Sequence, residues 1–147
     1  MRIAPDSAIL VRANKRSTGP ARSLFEIVRK QGHPLIVSPF LLQEIARVLN
    51  YPRARLVFKL NEAEIAEFIA ERESFAEVYD PVVSEPVVRK DPNDDPVVYT
   101  AVVGKADVIC TLDRHFYDPP VLEFCRMRNI RVMTDVELLA LLARESG

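Results

Sequence analysis

The chain of 147 residues has no tryptophan, only two cysteines and no excess of charge of either sign. Its 20 Lys and Arg residues balance 21 Asp and Glu residues, which leaves a formal net charge of −1. Any nucleic-acid binding must therefore come from a local basic patch and not from the field of the whole protein. Base stacking on aromatic side chains is poorly supported, because the chain has no tryptophan and most of its phenylalanines occupy apolar helical positions.

Long hydrophobic runs are also lacking, and we expect no secretory leader. The apolar stretch at residues 136–143 contains Glu137 and is far shorter than the ~20 residues that span a bilayer. The first six residues contain no signal-peptide core, so we expect a cytoplasmic protein with no membrane partner. Cys110 and Cys125 lack CxxC spacing, which predicts buried free thiols and neither a disulfide nor a zinc site.

What the chain does contain is an alternation of strand and helix signals. Hydrophobic residues make up 48% and charged residues 28% of the chain, as in ordinary globular proteins. We predict a single domain over residues 1–147, because a chain of this size can bury a full core. The alternation itself predicts an α/β fold.

The apolar periodicities and the proline, glycine and capping signals place the individual elements. The predicted strands are Arg2–Ala4, Leu35–Val37, Val78–Val83 (an edge strand or an extended connector), Val108–Thr111 and Ile130–Met133. The predicted helices are Ser7–Ala13, Pro20–Gln31, a helix from Pro39 to the Tyr51-Pro52 stop, residues 62–75 after an Asn61 cap, Pro96–Lys105, Pro119–Arg128 and residues 135–143.

Three acids occur where a parallel sheet would bring them to one edge. Asp6 follows the first predicted strand, Asp113 follows the fourth, and Glu44 lies on the helix after the second. Carboxylates ~4 Å apart repel by roughly 4 kcal/mol at an effective dielectric of 20, so a gathered set must take up protons or hold a cation. Oxygen ligands suit Mg²⁺ or Mn²⁺, which promote phosphodiester hydrolysis.

The segment from Arg89 to Pro96 brings further acids toward the same edge. Asp95 fits the N-cap of the helix that opens at Pro96, and Asp91 fits a turn residue before a proline. Asp94 and Asp95 would both lie at the positive end of that helix. A lone acid at such a position is more often a cap or a turn residue than a ligand.

Three segments resemble the PIN-domain family, and specifically its branch of toxins from toxin–antitoxin systems. They are Ser38–Leu49, Asp91–Asp95 and Ala106–Asp113, and the likeness extends over nearly the whole chain. The resemblance implies a three-layer α/β/α fold with a central parallel sheet, Mg²⁺- or Mn²⁺-dependent cleavage of RNA, a cognate antitoxin protein and a homodimer. The implied catalytic and metal-binding acids are Asp6, Glu44, Asp94 and Asp113, with Asp95 as the alternative to Asp94 because the register of this pair can be read either way.

The start of the chain departs from the family's usual Asp-Thr-Asn or Asp-Ser-Asn. Here Asp6 and Ser7 precede Ala8, so an Asn that could orient the acid or a metal-bound water is missing, and losses of this kind typically cost about 10–100-fold in affinity or activity. Ser7, Thr111 and His115 are expected to support the site. His115 could also touch a phosphate.

Basic residues beside these segments are the candidates for RNA binding: Arg12, Lys15, Arg16, Arg89 and Arg114. Phosphate contacts would provide sequence-independent affinity that weakens with salt. For each of these side chains, a place on an ordinary solvated face is the alternative.

These patterns together predict a metal-dependent endoribonuclease that acts as the toxin of a toxin–antitoxin pair. Ala8 keeps open an alternative, which is a catalytically weak or inactive PIN domain that binds nucleic acid or protein. A receiver-like regulatory domain with an acidic Mg²⁺ pocket fits less well, because the chain has a single early Asp and no convincing Lys after a late strand.

Overall fold

A computed structural model of the chain describes residues 1–146 and contains a five-stranded, fully parallel sheet. The strands are β1 (Ile3–Pro5), β2 (Leu35–Val37), β3 (Ala76–Val78), β4 (Val108–Cys110) and β5 (Arg131–Met133), in the order β3-β2-β1-β4-β5. The helices are α1 (Ser7–Arg12), α2 (Pro20–Gln31), α3 (Pro39–Leu49), α4 (Pro52–Phe58), α5 (Glu62–Ser74), α6 (Asp95–Val103), α7 (Pro119–Arg126) and α8 (Asp135–Ser146). Two 3₁₀ turns cover Pro92–Asp94 and Arg114–Tyr117.

Side chains that alternate across the sheet divide the core into two layers. In β2, Leu35 and Val37 pack into one hydrophobic cluster, whereas Ile36 packs into the other. The first cluster includes buried residues of α1, α2, α3, α5 and α8, and the second includes those of α6 and α7. Strands that are buried on both faces have continuous apolar sequences, as the Leu35–Val37 strand does. The predicted α/β/α architecture is therefore confirmed.

The strand order determines where this fold can bind a ligand. The chain passes from β1 to β2 on one side of the sheet, and β4 then returns to the other side of β1. The carboxyl ends of β1 and β4 consequently form the topological switch point, the usual ligand crevice of open α/β sheets. Asp6 directly follows β1, and Thr111 directly follows β4.

Pro5 limits the pairing of the central strand, as its ring predicts. It lies opposite Cys110 of β4, while β1 and β2 pair at Ile3 and Leu35. Backbone donors alternate in direction along a strand, and the amide of Ile3 donates toward the β2 side, to the carbonyl of Pro34 at 3.0 Å. The missing N–H of Pro5 therefore lies on the β2 side, where the ladder stops.

Several element boundaries differ from the predicted ones. The structure places β3 at Ala76–Val78, so beyond Val78 the valine-rich run is a connector, one of the two alternatives predicted for it, because Pro81 interrupts the run and Val82 is exposed. The prediction missed α4. Tyr51-Pro52 is predicted to end the preceding helix, but Pro52 also occupies the first position of a new helix, where no backbone N–H is needed. The helix ends predicted at about residues 13, 105, 128 and 143 lie at residues 12, 103, 126 and 146.

The two cysteines agree with the prediction, since Cys110 and Cys125 are both free and buried. Within residues 1–146, no helix combines the length and the apolar character needed to cross a membrane.

Candidate metal centre

Asp6 is fixed at the junction of β1 and α1 by hydrogen bonds to both carboxylate oxygens. Oδ1 accepts the backbone N–H of Ile9 at 2.9 Å and thereby caps α1. Oδ2 accepts the hydroxyl of Thr111, which follows β4. The same hydroxyl oxygen accepts the backbone N–H of Asp113 at 3.0 Å. Thr111 therefore connects the carboxyl ends of the two central strands.

Asp113 begins the 3₁₀ turn that follows β4. Its Oδ1 accepts the backbone N–H of His115 at 2.9 Å, and the same oxygen lies 3.5 Å from Nδ1 of the His115 ring. The hydroxyl of Tyr117 donates to the carbonyl of Thr111 at 2.8 Å, which closes the turn onto the strand end. This local folding holds the imidazole beside the carboxylate of Asp113.

Asp91 and Asp94 are brought together by the 3₁₀ turn that precedes α6. Asp91 occupies the N-cap position of that turn, and its carbonyl accepts the N–H of Asp94 at 3.0 Å. Side chains three residues apart eclipse each other in 3₁₀ geometry, so both carboxylates lie on one side. Sequence reasoning assigned Asp91 to a turn only. The i, i+3 spacing of two acids around Pro92 is the signal that could have identified it.

These two turns meet and form one cluster. One ligand-competent atom from each of Asp91, Asp94, Asp113 and His115 lies within 4.8 Å of all the others. All four residues are half-buried. A single divalent cation can bind groups at such separations, since carboxylate oxygens and imidazole nitrogens ligate at about 2.0–2.6 Å.

The cluster has the features of a site that needs a cation. Among the described residues, Oδ2 of Asp94 and Nδ1 of His115 are shielded from solvent without a hydrogen-bond partner. Burial, hydrogen bonding of the protonated acid with Asp113 and the charges of Asp91, Asp113 and Asp6 raise the pKa of Asp94 to about 8. When Asp94 is ionised, its buried Oδ2 has no donor among the described residues. A divalent ion fits this donor set and would offset the repulsion.

Asp6 and Glu44 belong to the electrostatic surroundings of the cluster. Burial raises the pKa of Asp6 above its ordinary value, hydrogen bonds from Thr111 and Ile9 oppose this shift, and the charges of Asp113 and Glu44 add to it. Glu44 lies on α3, and its carboxylate is 3.6 Å from the guanidinium of Arg47. The four-residue cluster does not include Asp6 or Glu44. Asp6 is nonetheless close enough for its charge to raise the pKa of Asp94.

Asp95 has a different role from the N-cap predicted for it. It is the first residue of α6, while Asp94 takes the N-cap position. The Asp95 carboxylate is only 4% exposed, and its Oδ1 accepts the backbone N–H groups of Val87 and Val88 at 3.1 and 2.8 Å. The side chain of Asp95 thus anchors the segment that leads into the acidic turn, and it lies outside the cluster.

The predicted RNA-binding residues separate into paired and unpaired side chains. Lys15 lies 2.7 Å and Arg16 lies 3.3 Å from the same Glu64 carboxylate. Within residues 1–146, the exposed side chains of Arg12, Arg89 and Arg114 form no ion pair. Arg114 directly follows Asp113, and Arg89 lies two residues before Asp91.

The two residues that follow Asp6 in the chain belong to α1. Ser7 is the first residue of α1 and is half-buried. Ala8 is exposed on the same helix and carries no polar group toward the acid.

Arg12 and Arg16 line a surface groove of about 360 Å³, together with Val57, Phe58 and the buried Asp135.

Comparison with known proteins identifies the family. Neither the curated proteins nor the solved structures contain a significant match to this chain. A family model described as PIN domain matches residues 5–115, a range that includes Asp6, Glu44 and the whole four-residue cluster. PIN domains are generally metal-dependent nucleases, and this chain has an acidic cluster that could hold a metal ion. Because the match covers more than half of its 147 residues, this chain belongs to the PIN domain family.

Proposed function

We propose that this PIN domain is a Mg²⁺- or Mn²⁺-dependent endoribonuclease. The observation that supports it is the convergence of Asp91, Asp94, Asp113 and His115 at the switch point, within 4.8 Å of one another. The raised pKa of Asp94, about 8, supports a site completed by a cation, because the metal-free cluster holds a proton where a cation could bind. The choice of RNA as substrate rests on the resemblance to the toxin branch of the family.

The residues of this site would have different roles in hydrolysis. Asp91, Asp94, Asp113 and His115 would hold the ion, which when bound supplies Lewis acidity for attack on a phosphodiester. Asp6 adds a fixed carboxylate beside them, because Ile9 and Thr111 hold both of its oxygens. The unpaired cation of Arg114 stands next to Asp113 in the chain and suits a contact with the RNA backbone.

Other groups perform one of the two tasks that the missing Asn could have had. An Asn at position 8 could orient the first acid, and Ala8 cannot. Here, however, the amide of Ile9 and the hydroxyl of Thr111 already determine the orientation of Asp6. This arrangement favours an active nuclease over the alternative of a domain that binds nucleic acid or protein without cleavage.

The biological assignment is the toxin of a toxin–antitoxin pair, restrained by a cognate antitoxin and forming a homodimer. Its support is the family membership together with the toxin-branch segments Ser38–Leu49 and Ala106–Asp113. Induced expression of the native chain should arrest bacterial growth, whereas Asp94→Asn should not. Growth inhibition of equal strength by both proteins would contradict a toxin that acts through this site.

Cleavage of a labelled single-stranded RNA, with DNA of the same sequence as a second substrate, tests the nuclease. The native chain should cut RNA with Mn²⁺ or Mg²⁺, and cleavage should stop when EDTA is added. The RNA cleavage rate should be lower for Asp6→Asn, Glu44→Gln, Asp94→Asn and Asp113→Asn. Asp80→Asn is a matched control, because Asp80 is an exposed acid outside the cluster. Binding of RNA without any metal-dependent cleavage would establish the alternative of a binding module.

A further inference from the structure

We propose that His115 supplies a nitrogen ligand to the metal centre and makes it select a first-row transition ion over Mg²⁺. This inference rests on the proposed function, because it concerns the ion that the same site would use. It adds a donor type to a centre that the acids alone would make an all-oxygen site.

The position of the imidazole carries this inference. Its Nδ1 lies 3.5 Å from Oδ1 of Asp113, and the ring contributes a ligand-competent atom to the cluster with Asp91 and Asp94. Nδ1 is also shielded from water and has no hydrogen-bond partner among the described residues. A buried polar nitrogen without a partner is costly, and a metal ligand bond would satisfy it.

The backbone holds the ring in place without occupying its nitrogen. The N–H of His115 donates to Asp113 Oδ1 at 2.9 Å, and the hydroxyl of Tyr117 donates to the carbonyl of Thr111 at 2.8 Å. Phe116, between these two residues, is completely buried and anchors the 3₁₀ turn in the core. The imidazole is therefore presented to the carboxylates by a rigid turn, which limits the entropy lost when a ligand binds.

The donor set determines which ions the site prefers. Mg²⁺ is a hard ion that favours carboxylate, carbonyl and water oxygens. Imidazole nitrogen is a poorer ligand for Mg²⁺ than for first-row transition ions, whose affinity for mixed nitrogen and oxygen sites rises from Mn²⁺ toward Cu²⁺. Three carboxylates and one neutral imidazole thus attract Mg²⁺ less strongly than four carboxylates would, while retaining a good ligand for Mn²⁺, Fe²⁺ or Co²⁺.

Mn²⁺ is the probe for a direct test, because its electron paramagnetic resonance reports both binding and ligand type. Pulsed measurements on the Mn²⁺-loaded native protein should show hyperfine coupling to an imidazole nitrogen. The chain has two histidines, so the coupling can be assigned by substitution. His115→Asp and His115→Gln should lose the coupling. His33→Gln should retain it, because His33 contacts the N-terminus and Gln31 instead.

Competition between Mn²⁺ and Mg²⁺ for the same proteins measures the selectivity. His115→Asp should reduce the ratio of Mg²⁺ to Mn²⁺ dissociation constants by roughly tenfold or more, since the site becomes all oxygen. Thermal unfolding of each variant shows that it is folded, which the partial exposure of the ring, 37%, makes realistic.

The outcomes separate the inference from the proposed function. Native protein that binds Mn²⁺ without nitrogen coupling, or His115 variants with unchanged selectivity, would overturn the role of His115 and leave the nuclease proposal standing. If His115 contacts phosphate instead of the metal, its variants should keep the native metal selectivity and bind RNA more weakly. A native protein that binds neither Mn²⁺ nor Mg²⁺ would overturn both the inference and the proposed function.

Discussion

The hydroxyl of Thr111 donates a hydrogen bond to Oδ2 of Asp6 and accepts the backbone N–H of Asp113. One buried side chain at the end of β4 thus orients both Asp6, which follows β1, and the loop that carries Asp113, a proposed metal ligand. Asp6 also receives the amide of Ile9, so both of its oxygens have a fixed direction. Removal of the hydroxyl should therefore disturb the centre without removing any of its proposed ligands.

Thr111→Val should weaken Mn²⁺ binding and RNA cleavage by about 10–100-fold, as losses of groups that orient metal ligands typically do. It should also cost ~1–3 kcal/mol in the free energy of unfolding, because Oδ2 of Asp6 loses its buried donor. Thr111→Ser keeps the hydroxyl and is the matched control. Metal titration and denaturant unfolding of both variants check the prediction, which fails if Val and Ser behave alike.

Asp94→Asn should stabilise the metal-free protein at alkaline pH and abolish its response to metal. The pKa of Asp94 is raised to about 8 in the folded state, above its ordinary value of 3.8. Between these values the folded state holds a proton that the unfolded state has released, so the free energy of unfolding falls as pH rises. The amide cannot ionise, and this loss should be absent from the variant.

Thermal unfolding at several pH values, with and without Mn²⁺, measures both effects. At ~100 times its dissociation constant, Mn²⁺ should add about 2.7 kcal/mol to the stability of the native protein and far less to that of Asp94→Asn. The affinity of the native protein for Mn²⁺ should rise with pH up to about 8, because the ion must displace the proton. Identical pH profiles for the two proteins would contradict the prediction.

Asp95 should act by positioning the acidic turn. Its Oδ1 holds the amides of Val87 and Val88, the carbonyl of Val88 accepts the N–H of Asp91, and the carbonyl of Asp91 accepts the N–H of Asp94. Asp95→Ala removes the first link of this chain. We expect it to lower the free energy of unfolding by ~1–3 kcal/mol and the Mn²⁺ affinity by about tenfold.

Asp95→Asn provides the discriminating control, because an amide oxygen can still accept both backbone N–H groups. A positioning role predicts nearly native metal binding for Asp95→Asn and loss of binding for Asp94→Asn, measured by the same titration. If Asp95→Asn lost binding as severely as Asp94→Asn, Asp95 would be the ligand, which is the alternative that the sequence register leaves open.

Arg114 should contribute more to RNA binding than Lys15. The ammonium of Lys15 is 2.7 Å from the Glu64 carboxylate, so a phosphate must compete with an existing partner. In an Asp94→Asn background, which avoids cleavage, Arg114→Gln should reduce the slope of log affinity against log salt concentration by ~0.7. Lys15→Gln should reduce it less. Fluorescence anisotropy at several salt concentrations checks this, and the reverse order would place the RNA backbone on the Lys15 side.

Part of the site could be predicted because strand ends and helix starts are local features. Asp6 and Asp113 follow apolar triplets, and a parallel sheet delivers such residues to one edge. The direction in which each acidic side chain of the Asp91–Asp95 run points could not be predicted in the same way. Neighbouring residues in a turn point in different directions, and hydrogen bonds from the backbone N–H groups of Val87 and Val88 hold the Asp95 side chain away from the cluster.

The sequence by itself determined the α/β class, most helix starts and the buried cysteines, because capping, proline and apolar periodicity act over a few neighbouring residues. Tertiary structure alone decided which residues belong to the candidate metal-binding cluster. Asp91, Asp94, Asp113 and His115 come from two turns separated in the chain by α6 and β4, and their grouping depends on how these elements pack. The same packing leaves Glu44 outside the cluster, since ligand distances are set by the arrangement of whole elements and not by spacing along the chain.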